Sequence, residues 1–149
     1  MKPLIVLILG FLVCLVALKL CTGFWIYSFS GNVAMSFMLI FTAIGHFIYT
    51  NGMQMMFPEG FPLKIFLVYL TGIVEIAAAI GLIIPNTQLL TSYWLIAFFI
   101  LVLPVNIQAA IKRVDYQKGI YKGPGKSYLW FRIPLQVFFI AWVYYCNIF

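Results

Sequence analysis

Three long stretches of this chain carry no charged residue, and they limit what the chain can fold into. They run from position 20 to 58, from 76 to 111 and from 133 to 149, in a sequence that is 65% hydrophobic and 8% charged. Soluble domains carry about 25% charged residues, so a soluble core cannot hide this much apolar surface. The stretches are continuous rather than alternating, which argues against a membrane β-barrel. The sequence therefore predicts an all-α, polytopic membrane helical bundle.

Five segments are long enough to cross a bilayer, because a hydrocarbon core of ~30 Å needs about 20 helical residues. We predict a single transmembrane domain over residues 1–149. The first segment resembles a signal peptide in having Lys2 before an apolar run, but it lacks a small-residue cleavage site, so we expect a retained helix that could extend to Tyr27. The predicted helices span residues 3–21, 33–50, 62–84, 89–110 and 130–148.

The basic residues predict the orientation of the chain. If the five spans alternate, Lys2, Lys64, Arg132 and the connection between helices four and five lie on one side, and Lys19 lies on the other. The positive-inside rule then places the N-terminus inside and the C-terminus outside, in a cell inner membrane. A basic surface beside anionic lipid explains the net charge of +6 without a nucleic-acid partner. The basic residues of that connection are Lys112, Arg113, Lys118, Lys122 and Lys126.

The cysteines and the single histidine argue against several redox and metal sites. Cys14, Cys21 and Cys146 form no C-x-x-C motif, so a thiol-exchange centre is not expected. One histidine cannot complete a usual zinc site or a haem held between two histidines, so we expect no metal and no cofactor held by the chain itself. Cys21 and Cys146 both lie at predicted outer helix ends, where a disulfide between helices one and five would be permitted.

Two polar groups of residues stand out in helices two and three. Glu75 lies near the middle of helix three, where a carboxylate is costly unless it is paired, solvated or protonated. Thr71 shares its helical face, and Thr42 shares a face with His46 near the inner end of helix two. Glu75 is either a site residue or a buried acid that holds the bundle together, and His46 is either a site residue or an interhelical hydrogen-bond partner.

Helices four and five add three further candidates. Asn106 follows Pro104, which is expected to kink helix four and to free a backbone carbonyl. Arg132 and Gln136 share a face of helix five, although Arg132 could also anchor the helix by snorkelling. With alternating helices, these residues and His46 lie in the cytoplasmic half, and Glu75 lies deeper. The sequence therefore predicts one polar pocket with a carboxylate at its floor, in which Glu75 faces the interior with His46 or Arg132 as its nearest charged partner.

Ordered motifs on four helices resemble the DoxX-like family of small membrane proteins. The resemblance spans residues 41–145 and implies a four-helix membrane core, to which the first helix is an addition. Founding members of that family resemble subunits of a thiosulfate:quinone oxidoreductase or quinol oxidase. The motifs are Gly45-His46-Phe47, Leu70-Thr71-Gly72-Ile73-Val74-Glu75-Ile76, Gly81-Leu82-Ile83-Ile84-Pro85, Leu103-Pro104-Val105-Asn106-Ile107 and Trp130-Phe131-Arg132-Ile133-Pro134-Leu135-Gln136.

The resulting hypothesis is a quinone- or redox-linked membrane subunit with a pocket open to the cytoplasmic side. Glu75 and His46 are the expected catalytic residues, which handle protons, while a partner subunit supplies electrons and a quinone is the expected ligand. Self-association stays open. The alternatives are a binding or transport module for a small amphipathic molecule, a cofactor-independent isomerase that uses the Glu–His pair, and a structural scaffold. The expected ligand-binding residues are Asn106, Arg132, Gln136, Thr42 and Thr71.

Overall fold

The computed structural model describes residues 2–123, 125 and 127–149, and this part of the chain is helical, with 77% helix and no strand. Five of its helices are long and apolar enough to cross a membrane, which confirms the predicted all-α class with five spanning helices. Lys126, which was counted in the basic connection, lies outside the described residues. The helices are α1 (Lys2–Thr22), α2 (Tyr27–Ile48), α3 (Thr50–Gln54), α4 (Lys64–Ile83), α5 (Gln88–Ile111) and α6 (Ser127–Asn147).

The largest error in the predicted boundaries concerns the start of α2, which lies at Tyr27 rather than at residue 33. The polar residues of this first turn are typical of a loop, but the structure uses them inside the bundle. Ser30 donates a hydrogen bond to the carbonyl of Ile26, 2.8 Å away, and Asn32 is buried against Asn147 of α6. A local hydrogen bond therefore satisfies Ser30, and a tertiary contact satisfies Asn32, although the sequence assigns both residues to solvent.

The other boundary differences have local causes. The helix α1 ends at Thr22 and does not extend to Tyr27, because Gly23 adopts a left-handed conformation with φ of 77°. A bend at Tyr49 divides the predicted second helix into α2 and the short α3. Leu63, with φ of 57°, precedes α4, which starts at residue 64 rather than 62. The last helix starts at residue 127 rather than 130.

The helix α2 is central, since it packs against α1, α4 and α6, while α5 packs against α6 and more lightly against α4. Across the α2–α4 interface, the hydroxyl of Ser36 donates to the carbonyl of Ala79 at 2.7 Å. A close approach of this kind is typical of membrane helices that carry small residues at their interface. The buried apolar core consists of Leu7, Ala34, Met35, Met38, Leu39, Ala79, Leu82, Leu95, Phe99, Leu135, Phe139 and Val143.

The contacts at the two ends of the bundle show that successive spanning helices alternate in direction. At one end, Asn32 near the start of α2 meets Asn147 at the end of α6. At the other end, the Lys112 Nζ atom donates to the carbonyl of Phe57, 3.3 Å away, which joins the connection after α5 to the connection before α4. We call the second end the basic end, after its residues Lys64, Lys112, Arg113, Lys118 and Lys122.

The structure does not contain the disulfide that was considered for Cys21 and Cys146. Cys14, Cys21 and Cys146 are all free thiols. The sulfur of Cys146 instead lies beside Gly31, where a Cβ atom would approach it too closely. Cys146 therefore packs as a small apolar residue in the α2–α6 contact.

Candidate functional site

His46, Thr71 and Glu75 meet between α2 and α4 and form the first polar group. The Nε2 atom of His46 lies 3.5 Å from Oε1 of Glu75, and its Nδ1 atom lies 3.1 Å from the hydroxyl of Thr71. Glu75 is only 7% exposed, and His46 is partly buried. The prediction that Glu75 faces the interior with His46 or Arg132 as its nearest charged partner is confirmed for His46.

Gly72 allows the two helices to come close enough for this contact. A Cβ atom on Gly72 would lie 3.1 Å from the Cβ atom of His46 and 3.3 Å from the ring of Phe47. These distances are shorter than ordinary van der Waals contact, so a side chain here would push α2 and α4 apart. The small residue at this position is therefore part of the site's construction.

The short helix α3 explains why His46 and Glu75 lie at similar depths. The sequence places His46 near the inner end of its helix and Glu75 near the middle of the next. Because the helical path continues after the bend at Tyr49 to Gln54, His46 lies further from the end of that path than the sequence indicates, and Glu75 lies about 16 Å from the start of α4 at Lys64, at 1.5 Å per residue.

The hydrogen-bond pattern around His46 indicates which atoms carry protons. The Thr71 hydroxyl lies 3.0 Å from the carbonyl of Leu67 and 2.9 Å from that of Val68, to which it donates. It therefore accepts from His46 Nδ1, and this tautomer turns Nε2 toward Glu75 as an acceptor. Nε2 of His46 and Oε1 of Glu75 therefore face one another as the two groups between which a proton could pass.

The other carboxylate oxygen of Glu75, Oε2, is the least satisfied atom in this group. It is buried and has no hydrogen-bond partner within the described part of the chain. Buried polar atoms in folded proteins are almost always hydrogen-bonded, because leaving one unpaired costs about 1–3 kcal/mol. A ligand that donates a hydrogen bond to Oε2 would remove this cost.

Asn106, Arg132 and Gln136 form a second polar group between α5 and α6. The Nη2 atom of Arg132 donates to Oδ1 of Asn106 at 3.1 Å, and Nδ2 of Asn106 lies 3.5 Å from Oε1 of Gln136. Gln136 in turn donates to the carbonyl of Phe99. The next carbonyl in α5, that of Ile100, lacks its helical N–H donor because Pro104 lies four residues later. The sequence-predicted residues of these two helices are thus connected to one another.

The structure brings the predicted site residues together as two groups rather than as one pocket. A cavity of about 20 Å³, large enough for a single water, lies beside the second group and is lined by none of the first. Thr42 joins neither group, because its hydroxyl bonds to the carbonyls of Met38 and Leu39 in its own helix. The cavity is lined by Met56, Asn106, Ala109, Ala110, Val114, Tyr116, Gly125 and Arg132.

One buried polar pair escaped the sequence reasoning altogether. The side-chain amides of Asn32 and Asn147 exchange two hydrogen bonds of 2.7 and 2.8 Å at the end of the bundle opposite the basic end. Asn32 is 2% exposed, so the pair lies inside the α2–α6 contact. The only signal in the sequence is that both residues interrupt apolar helices, which does not reveal their partnership.

Comparison with known proteins gives a family for most of the chain. A family model described as Domain of unknown function (DUF8561) matches residues 35–147, which include most of α2 and all of α3 to α6. No curated protein and no solved structure matches the chain. Within the described residues, no group of three or more His, Cys, Asp or Glu side chains is placed to hold a metal ion.

Proposed function

The chain belongs to the DUF8561 family, and we propose that it is a quinone- or redox-linked membrane subunit of the DoxX-like type. The observation that carries the proposal is the environment of Glu75. One carboxylate oxygen faces His46, and the other is buried without a partner in the described part of the chain. The hydroxyl of a quinol headgroup is a donor of the kind that Oε2 lacks. In this proposal, α2, α4, α5 and α6 are the four-helix core and α1 is the addition.

The first group supplies the acid–base chemistry. In this proposal the imidazole of His46 and the carboxyl group of Glu75 exchange protons with the ligand, because they face one another at 3.5 Å in a mostly buried site. Thr71 fixes the ring of His46 so that Nε2 stays directed at the carboxyl group. A positioned side chain that transfers protons is worth about 10²–10⁴-fold in rate, so this pair is the proposed catalytic centre.

The second group supplies recognition of the headgroup. Arg132 carries five N–H donors, and its contact with Asn106 restrains the guanidinium where it can also donate to a ligand carbonyl. The buried amide of Gln136 restrains Asn106 from the other side. A bound quinone would take up two electrons and two protons to give the quinol, and a bound quinol would release the same number in the reverse direction. A partner subunit exchanges the electrons, and His46 with Glu75 exchanges protons.

The proposed orientation places the basic end in the cytoplasm of a cell inner membrane. Lys2 at the start of α1 and the five cationic side chains that define the basic end lie on that side, and Lys19 lies on the other, where it contacts the ring of Trp25. The N-terminus is then inside and the C-terminus outside. A reporter fused to the C-terminus should be active only if it functions outside the cytoplasm, and cytoplasmic activity would contradict this orientation.

Native mass spectrometry of the protein extracted with its own membrane lipids tests the proposed ligand. A bound quinone that is retained by the wild-type protein and lost from the Glu75→Gln variant supports the proposal. The matched control is Glu59→Gln, the same chemical change at a side chain that is 93% exposed. A different amphipathic molecule in the site would instead indicate a binding or transport module. Retention of quinone by both variants would show that Glu75 does not contribute to quinone binding.

A further inference from the structure

The connection between α5 and α6 contains a rigid turn with an apolar tip. The Oδ1 atom of Asp115 accepts backbone hydrogen bonds of 3.1 and 3.3 Å from the two residues that follow Tyr116, and its N–H donates to the carbonyl of Ile120 at 2.8 Å. Gly119 provides the left-handed conformation that the reversal needs, with φ of 64°. These bonds fix the backbone of the turn, and both Ile120 and Tyr121 are exposed at its surface.

The tip has the chemistry of a lipid headgroup contact. Ile120 is 39% exposed and Tyr121 is 55% exposed, and the exposed side chains of Lys118 and Lys122 flank them. The exposure of Ile120 and Tyr121 side by side is unfavourable in water, but both side chains fit the boundary between lipid headgroups and acyl chains. Lysines at the same level pair with lipid phosphates, while their alkyl stems cover apolar surface.

The root of the turn is fixed to the bundle close to the membrane surface. The ring of Tyr116 packs on that of Tyr49, and its carbonyl occupies space that is free only because Gly52 has no side chain. The N–H of Gly123 closes the root by bonding to the carbonyl of Arg113 at 2.7 Å. Tyr116 follows the end of α5 by five residues, and the four residues from Tyr116 to Ile120 span at most about 13 Å, so the tip stays close to this fixed point.

We propose that residues 115–122 form an interfacial anchor, which inserts Ile120 and Tyr121 into the leaflet at the basic end and prefers anionic lipid. The inference is independent of the proposed quinone site. It has one consequence for the second polar group, because Tyr116 in the same turn lines the small cavity beside Asn106 and Arg132. Lipid bound to the anchor would thus hold one wall of that cavity in place.

A photo-crosslinking residue at the tip tests the anchor in the full chain. Tyr121→p-benzoylphenylalanine is reconstituted in nanodiscs of phosphatidylglycerol or phosphatidylcholine, and lipid adducts are measured by mass spectrometry. The matched control places the same residue at Gln117, which is exposed in the same turn but lies outside the tip. We expect abundant lipid adducts at position 121, more in phosphatidylglycerol, and few at position 117.

The lysines provide the second arm of the experiment. In phosphatidylglycerol, Lys118→Gln and Lys122→Gln should each lower the adduct yield at position 121, by up to roughly five-fold, the value expected for one cation at an anionic surface. In phosphatidylcholine, both changes should have little effect. Equal adducts at positions 117 and 121, or none at 121, would overturn the proposal. Crosslinking of position 121 to another protein in native membranes, without lipid adducts, would overturn it in favour of a protein-docking surface.

Discussion

The carboxyl group of Glu75 lies 3.5 Å from the imidazole of His46 across the interface of α2 and α4. This distance is longer than a tight hydrogen bond, and such contacts often shorten when a ligand binds. Because Gly72 allows the two helices to come close here, the packing of α2 on α4 also sets the distance between His46 and Glu75. The predictions below separate these two contributions.

Glu75→Gln and Glu75→Leu should abolish quinone retention without unfolding the protein. The amide keeps the shape of the side chain but loses the titrating proton, and it should change the free energy of unfolding by no more than about 1 kcal/mol. Leucine removes the oxygen that has no partner, which favours stability, and also the oxygen that meets His46, which opposes it, so the melting temperature in detergent should change little. Thermal unfolding measured beside ligand retention checks both variants.

The scaffold alternative makes the opposite prediction for the same residue. If Glu75 serves only to hold the helices together, then Glu75→Leu should destabilise the protein by about 1–3 kcal/mol, because His46 loses its partner. Glu75→Gln should then have little effect on any property. Glu59→Gln controls for the loss of a negative charge, since that side chain is exposed and lies 3.8 Å from Lys112.

Gly72→Ala should weaken both the helix contact and ligand retention. The added methyl group would press on His46 and Phe47, and overpacking of this kind costs about 1–3 kcal/mol. Alanine recovers up to about 1 kcal/mol through its higher helix propensity, so the net loss of stability should be modest. Displacement of His46 should nevertheless reduce quinone retention strongly.

Gly45→Ala is the matched control for this prediction. Gly45, like Gly72, lies inside a helix, in this case α2. A Cβ atom on Gly45 would meet the flexible end of Met53, at 3.9 Å. It should therefore be neutral or stabilising, with ligand retention unchanged. Equal behaviour of the two variants would show that the close contact at Gly72 has no role in the site.

The sequence predicted His46 or Arg132 as the partner of Glu75, because alternating helices limit which polar residues can meet, and the structure shows His46. It could not predict the separation of the five pocket residues into two groups, which depends on how tightly α4 packs on α2 and how lightly on α5. Thr42 was assigned to the site from its spacing with His46, but a threonine in a helix can satisfy its hydroxyl on its own backbone. Helical spacing reports a shared face and not a shared partner.

The start of α2 was misplaced for a related physical reason. Ser30 and Asn32 lower the apolar character of the segment, but Ser30 bonds to the carbonyl of Ile26 four residues earlier, and Asn32 bonds to Asn147 of α6. Composition detects where a helix can cross lipid, but it does not detect where a polar turn is covered by another helix. The same ambiguity concealed the pairing of Asn32 with Asn147.

The Asn32–Asn147 pair should contribute to stability but not to ligand binding. Either residue changed to leucine leaves the other amide without its partner, at a cost of about 1–3 kcal/mol. The double variant should cost less than the sum of the two, by roughly 0.6–1.7 kcal/mol, the range measured for polar contacts between membrane helices. A double-mutant cycle of unfolding in detergent checks this, and additive losses would show that the two amides do not interact.

Arg132→Lys should reduce quinone affinity by about tenfold, the value of one charge-assisted hydrogen bond of 1–2 kcal/mol. Lysine preserves the positive charge, but its compact ammonium group cannot hold Asn106 and a ligand oxygen in the planar arrangement of a guanidinium group. Arg113→Lys is the matched control, because Arg113 is an exposed arginine at the same end of the bundle. Ligand titration in nanodiscs measures the role of Arg132 in quinone binding, and thermal unfolding measures its role in stabilising the contact between α5 and α6. Unchanged quinone affinity in Arg132→Lys would show that the second group does not bind the ligand. If the variant also lost stability while its folded fraction kept its affinity, the role of Arg132 would be to stabilise the contact between α5 and α6.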